Sequence, residues 1–216
     1  KKNTAAVVCT MVSNVFGTVL PVEWLGRELK KRGILFIVDA AQSAGTYKID
    51  MKKMNIDILC MPGHKGLMGP MGTGMMIIGG ETEVSSLYEG GTGSFSMNKS
   101  QPEVYPDKLE SGTLNLPGIW GLKKGMDYIA YVGGEEAIHK KESCLCNMLK
   151  EDLSVIRGIK LYTDIAGKNS APLVACNIKN IHSEAVADIL SKENIAVRSG
   201  YHCAFLSHNT FGTGST

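Results

Sequence analysis

Two continuous apolar runs constrain this chain more than any other feature: "ILFIVDAAQ" at 34–42 and "IDILCMPGHKG" at 56–66. A strand with one wet face alternates apolar and polar residues. An unbroken run that is rich in β-branched and aromatic residues and stops at a polar residue or a Pro-Gly break is a strand buried on both faces. Burial on both faces requires helices above and below a mainly parallel sheet. The intervening sequence agrees. "PVEWLGRELKKRG" at 21–33 carries an early proline, helical periodicity and a closing glycine. "TAAVVCTMVSN" at 4–14 is a further apolar run leading into a loop, and "TGMMIIGG" at 73–80 is another. Strand, helix and strand in that order predict an α/β domain with a mainly parallel sheet.

The character changes after residue 88. The stretch 89–115 is rich in Gly, Ser and Pro and has little periodicity, and a loop of that length inside a compact chain is functional or disordered. Helical patterns return at 116–133, despite several glycines, and at 134–158. The remainder reads as a small α+β unit: strands at "IKLYT" and "PLVACNIK", a helix at 183–194, and a last strand "IAVRSG" before "YHCAF". The expected boundary lies near Gly133, with 1–133 as part of a large domain and 134–216 as a smaller one.

Composition excludes several classes of function. With 23 basic and 21 acidic residues the net charge is +2, which provides no field for nucleic acid or an anionic membrane. No apolar run approaches the roughly 20 residues of a membrane span. Six cysteines in 216 residues form no dense framework, so free thiols in a reducing cytoplasm are expected. Cys144 and Cys146 are one residue apart in a helical pattern, a poor match to zinc spacings, and no metal site is expected. The chain opens without an initiator methionine, just before a strand, and is expected to begin within a longer protein.

In open parallel sheets, ligands bind beyond the carboxyl ends of the strands. Asp39 ends one run, Gln42 follows it, and His64 and Lys65 follow the next. Two adjacent strands therefore direct a carboxylate, an amide, an imidazole and an amine to one crevice. That set is compatible with pyridoxal phosphate: a lysine bonds to the aldehyde, and an aspartate pairs with the ring nitrogen so that the ring acts as an electron sink. Taken singly, each residue has a plainer reading. Asp39 would form a turn, His64 and Lys65 a solvated pair, Cys203 a small apolar filler, and His208 a surface loop histidine.

The segments "SNVFGTVLP", "VDAAQSAG", "PGHKGLMGPMGTG", "GGTGS", "ESGTLNLPG" and "VRSGYHCAFLSH", in this order, resemble the cysteine desulfurase and selenocysteine lyase family. These are pyridoxal-5'-phosphate enzymes of the class V aminotransferase group, with the fold type I architecture. The resemblance implies that Lys65 holds the cofactor covalently, Asp39 pairs with its ring nitrogen, Gln42 with its ring hydroxyl, and His64 helps to bind phosphate. It places Asn14 at the substrate side. It sends Thr113 to the phosphate of a neighbouring subunit in a homodimer with a shared site. It makes Cys203 the nucleophile that takes sulfur from L-cysteine, releases alanine, and passes the sulfur of the resulting persulfide to a sulfur-acceptor protein or thiol. Selenium is an equal candidate for the transferred atom. The cysteine loop resembles the family's group with a short, ordered loop, and His202 and Arg198 are expected to supply positive charge near the thiol.

Three departures accompany the resemblance. The family enzyme is nearly twice as long, and its N-terminal half supplies the ring stacked on the cofactor and a phosphate-binding loop. It carries a substrate-binding arginine in a "GTVR"-like segment after the cysteine loop, whereas this chain ends in "NTFGTGST". Pro62 stands where many relatives have a phosphate-touching serine or threonine. These 216 residues alone are therefore expected to hold the cofactor weakly or not at all. The competing readings are another class V aminotransferase, for which Cys203 would be dispensable, and a non-catalytic piece that only dimerises or docks a sulfur acceptor.

Overall fold

The structure, a computed structural model, describes residues 3–80, 82–95, 97–163 and 169–214. The amino-terminal part is a four-stranded sheet in the order β1 (Ala6–Thr10), β2 (Leu35–Asp39), β3 (Ile58–Pro62), β4 (Gly74–Ile78). The first three strands are parallel, and β4 runs antiparallel to β3. The register sets Thr10 beside Asp39 and Asp39 beside Cys60, so three carboxyl ends align along one edge. Because β4 runs back along β3, the connection 63–73 leaves and rejoins the sheet at that same edge.

Of the central strands, β3 carries the two-faced burial that its sequence predicts, with adjacent Ile58 and Leu59 at 6% and 4% exposure, whereas β2 fully encloses one face, Phe36 and Val38, and only partly covers Leu35 and Ile37 on the other. Helix α1 (Val22–Lys30) lays Val22, Gly26 and Leu29 on the core, a spacing of four and then three residues that marks one helical face. It ends at Gly33, whose φ of +62° is the left-handed stop that glycine supplies. A one-turn helix α2 (Met51–Met54) is capped by the Asp50 carboxylate, which accepts from Lys53 N at 3.0 Å.

Gln101 ties three points of the long irregular stretch together. Gln101 is buried, its amide oxygen accepts from Gly90 N at 3.2 Å, and its amide nitrogen donates to Asp107 O at 2.6 Å and Glu110 O at 2.8 Å. A single side chain thus satisfies backbone groups at three points of a segment that has no ladder of its own.

Helix α3 (Leu116–Tyr131) starts at an Asn115 cap and carries the glycines that weaken its helical pattern. These glycines have a packing purpose. A Cβ at Gly125 would lie 2.3 Å from Leu67 O and 2.7 Å from Met68 C, so the helix rests on the backbone of the 63–73 connection. After Gly133 and Gly134, both at positive φ, comes α4 (Gly134–Ser154), which ends four residues short of its expected limit. Cys146 of α4 is buried and Cys144 exposed. No cluster of metal-ligating side chains occurs among the described residues, and no helix there is long and apolar enough to cross a membrane.

Strands β5 (Ile159–Leu161) and β6 (Cys176–Ile178) form an antiparallel pair, followed by α5 (Ser183–Lys192) and α6 (Phe205–Phe211). The expected last strand does not form. Residues 195–200 join no strand ladder among the described residues, and Ile195 and Val197 are about half exposed. A β-prone run becomes a strand only where a partner edge meets it. The carboxyl-terminal part is joined to the sheet by an isolated bridge between Thr18 and Ser170, with Ala171 N donating to Gly17 O at 2.7 Å.

Candidate active site

Asp39 and Lys65 reach the same edge by different routes. Asp39 is the last residue of β2 and is exposed; one carboxylate oxygen accepts from Ala41 N at 2.8 Å, leaving the other for a ligand. The backbone then turns sharply through Ala40 N to Cys60 O at 2.8 Å and Ala44 N to Ala40 O at 2.9 Å, with Gln42 half-buried in that turn. His64 and Lys65 lie exposed in the connection after β3, which is closed by Gly63 N to Thr73 O and Gly69 N to Gly63 O, both 2.8 Å. Among the described residues Lys65 has no ion pair.

These two turns touch backbone to backbone. A Cβ at Gly45 would lie 2.1 Å from Gly66 O, and a Cβ at Gly66 would lie 2.3 Å from Ala44 O. Gly45 also has a φ of +84°. Gly45, six residues after Asp39, and Gly66, next to Lys65, are thus glycines because the turns carrying those two groups leave no room between them. Gly66→Ala is expected to destabilise the fold by about 2–3 kcal/mol through this overlap, read as a lower urea midpoint with an unchanged slope. An alanine at Gly91, which has open space around it and no positive φ, is the control for loss of glycine as such.

The thiol arrives from the far end of the chain. Cys203 is exposed, and His202 and Cys203 have φ of 50° and 60°, two consecutive non-glycine residues in the left-handed region. Asn14, in the loop after β1, donates through Nδ2 to His202 O at 2.6 Å. β1 is the neighbour of β2, so this bond attaches the cysteine loop to the edge that holds Asp39. Thr113 is exposed on the segment before α3, and no hydrogen bond links it to the other candidates among the described residues.

Two sequence expectations change. His208 is buried at 8% exposure, not a surface residue. Its Nδ1 meets Thr213 Oγ1 at 2.8 Å, and its ring packs against Phe16 at 5.5 Å and Tyr201 at 5.3 Å. Phe16 also stacks on Phe211 at 3.9 Å. His202, expected to bring positive charge, is instead biased toward its neutral form: its pKa falls below the ordinary 6.5, first through burial and then through the nearby charge of Arg198, with a hydrogen bond to the Arg198 backbone opposing and His208 contributing less.

A depressed folded pKa gives stability that is present above the ordinary imidazole value and is lost as pH falls through the folded one. The cysteine loop is therefore expected to loosen below pH 6.5. Hydrogen exchange of residues 200–204, corrected for intrinsic rate, should be faster at pH 5.5 than at 7.5, and His202→Gln should remove the difference.

The Aminotransferase class-V family matches residues 1–216. The chain belongs to the class V aminotransferase family. It is 36% identical to a probable cysteine desulfurase of Methanothermobacter thermautotrophicus over 98% of this chain and 55% of that protein. It is 36% identical to a probable cysteine desulfurase of Pyrococcus abyssi over 94% of this chain and 51% of that protein. The apo cysteine desulfurase from Thermococcus onnurineus NA1 superposes with a TM-score of 0.79 at 32% identity, covering 98% of this chain and 53% of that one. A cysteine desulfurase from Escherichia coli gives 0.82 at 22% identity over 99% and 53%, a likeness of fold. The chain spans about half the length of the curated relatives it matches. The sheet is that of fold type I, and the family's cofactor is pyridoxal 5'-phosphate.

The residues present fit that cofactor. An unpaired amine and a carboxylate with one open oxygen stand on turns locked together at the sheet edge, and Gln42 lies between them in sequence with an amide to offer.

Proposed function

We propose that the protein containing this chain is a cysteine desulfurase that removes sulfur from L-cysteine and leaves L-alanine. The observation carrying this reading is the Asn14–His202 hydrogen bond, which brings an exposed thiol loop to the edge bearing Asp39 and Lys65. A transaminase needs the lysine and the aspartate, but no thiol at that edge.

In this reading Lys65 holds the cofactor covalently, Asp39 faces the ring nitrogen, Gln42 the ring hydroxyl and His64 the phosphate. Pyridoxal phosphate, when bound, supplies the electron sink that makes the substrate's carbon–sulfur bond breakable. Cys203 Sγ, as thiolate, attacks the substrate sulfur; the sulfur–sulfur bond forms as the carbon–sulfur bond breaks, and the carbon side takes up protons to leave as alanine. Asn14 faces the substrate side. Residues 134–216 form the smaller unit that carries the loop.

We read the active protein as a homodimer. α3 and the 63–73 connection together expose Met71, Leu116 and Trp120 at 84%, 65% and 63%, an apolar face continuous with the site, and Thr113 lies just before it. A second subunit on this face would bring Thr113 to the other subunit's phosphate. All six cysteines are free, which supports a reducing cytoplasmic setting and a protein or small-thiol sulfur acceptor. Incubation of the full-length protein with L-cysteine and a reductant tests the reading. Alanine and sulfide in equal amounts support it. Pyruvate and ammonia, or amino transfer to a keto acid without sulfide, would refute it.

A further inference from the structure

The cysteine loop adopts a conformation that its own sequence does not favour. Left-handed φ at a non-glycine residue is unfavourable and persists only where surroundings enforce it. Here His202 and Cys203 adopt it in succession, beside Gly200 at +103°. Within the segment, Ala204 N donates to Tyr201 O at 2.9 Å, Tyr201 OH donates to Gly214 O at 2.5 Å, and the His202 ring bonds to the Arg198 backbone. A further hold comes from the loop after β1. Asn14 grips the carbonyl between the two strained residues. Two residues on, Phe16 is 3% exposed and stacks under Phe211 and against His208 of α6. One short loop thus holds the thiol segment at the strained dipeptide and again at the helix behind it.

We infer that Asn14 is a positioning residue for Cys203, holding the His202–Cys203 dipeptide in its left-handed conformation through the Nδ2–carbonyl bond. The inference rests on the desulfurase reading only in calling Cys203 the nucleophile. Asn14→Asp preserves shape and places a carboxylate oxygen against the His202 carbonyl; Asn14→Ala removes the group. In the full chain both variants should speed hydrogen exchange of residues 200–205 by about fivefold or more, the worth of one such hydrogen bond. Iodoacetamide labelling of Cys203, read peptide by peptide, should change rate while labelling of Cys144 does not. In the full-length holoenzyme, kcat for alanine release should fall about tenfold or more through misplacement of the thiol. Unchanged exchange at 200–205 would overturn the inference. So would protection lost equally across β1–β3, because Asn14 would then support the fold and not the loop. If Cys203→Ser were to leave desulfuration intact, the proposed reaction would fall while the exchange result still stood.

Discussion

Replacing Cys203 with serine is expected to lower sulfide release by about a thousandfold or more, since loss of a covalent nucleophile removes the step it opens. The yellow colour of bound pyridoxal phosphate should remain, because Cys203 is not on the turns that carry Asp39 and Lys65. Mass spectrometry of the wild-type protein after brief exposure to L-cysteine should find one added sulfur on the Cys203 peptide and none on those of Cys9, Cys60 or Cys176. The thiols of those three are pushed above their ordinary pKa by burial, with Asp39 adding to the effect at Cys60. A raised thiol pKa leaves little thiolate at neutral pH. Sulfide release that survives the substitution at full rate would make Cys203 dispensable and return the aminotransferase reading.

Replacing Lys65 with alanine is expected to give a colourless protein and a loss of turnover of about a thousandfold or more. The amine is exposed on a turn braced by Gly45 and α3, so its removal should leave the unfolding midpoint within about 0.5 kcal/mol of wild type, as surface substitutions usually do. Lys52→Ala, on exposed α2, is the control. Visible absorption and a urea titration on one preparation decide the matter. A yellow Lys65→Ala protein that turns over normally would exclude the assignment, and a colourless one with a collapsed midpoint would reassign Lys65 to the fold.

The sheet and its edge were legible because burial on both faces leaves a mark that no other element leaves: the unbroken runs through Phe36–Val38 and Ile58–Leu59. Asp39 and Lys65 were legible for a related reason, as polar residues where such runs stop. The glycines of α3 looked like a weakness in a helix and proved to be its contact surface. What the sequence concealed lies at long range. The burial of His208 depends on Phe16, and the hold on the cysteine loop joins residues 188 positions apart. Local periodicity carries no signal of either. The run at 195–200 misled for the converse reason, because strand propensity is visible in sequence and the absence of a pairing edge is not.

The contact between Gly45 and Gly66 has a kinetic consequence. Two turns that meet through main-chain atoms, with no side chains between them to slide or yield, cannot open separately. The amides around Asp39–Tyr47 and those around Gly63–Gly69 should therefore exchange with solvent as a single cooperative unit, with one shared opening rate and one shared dependence on denaturant. The carboxylate and the amine of the site would then be lost and regained in the same event, so that a half-assembled edge is never populated.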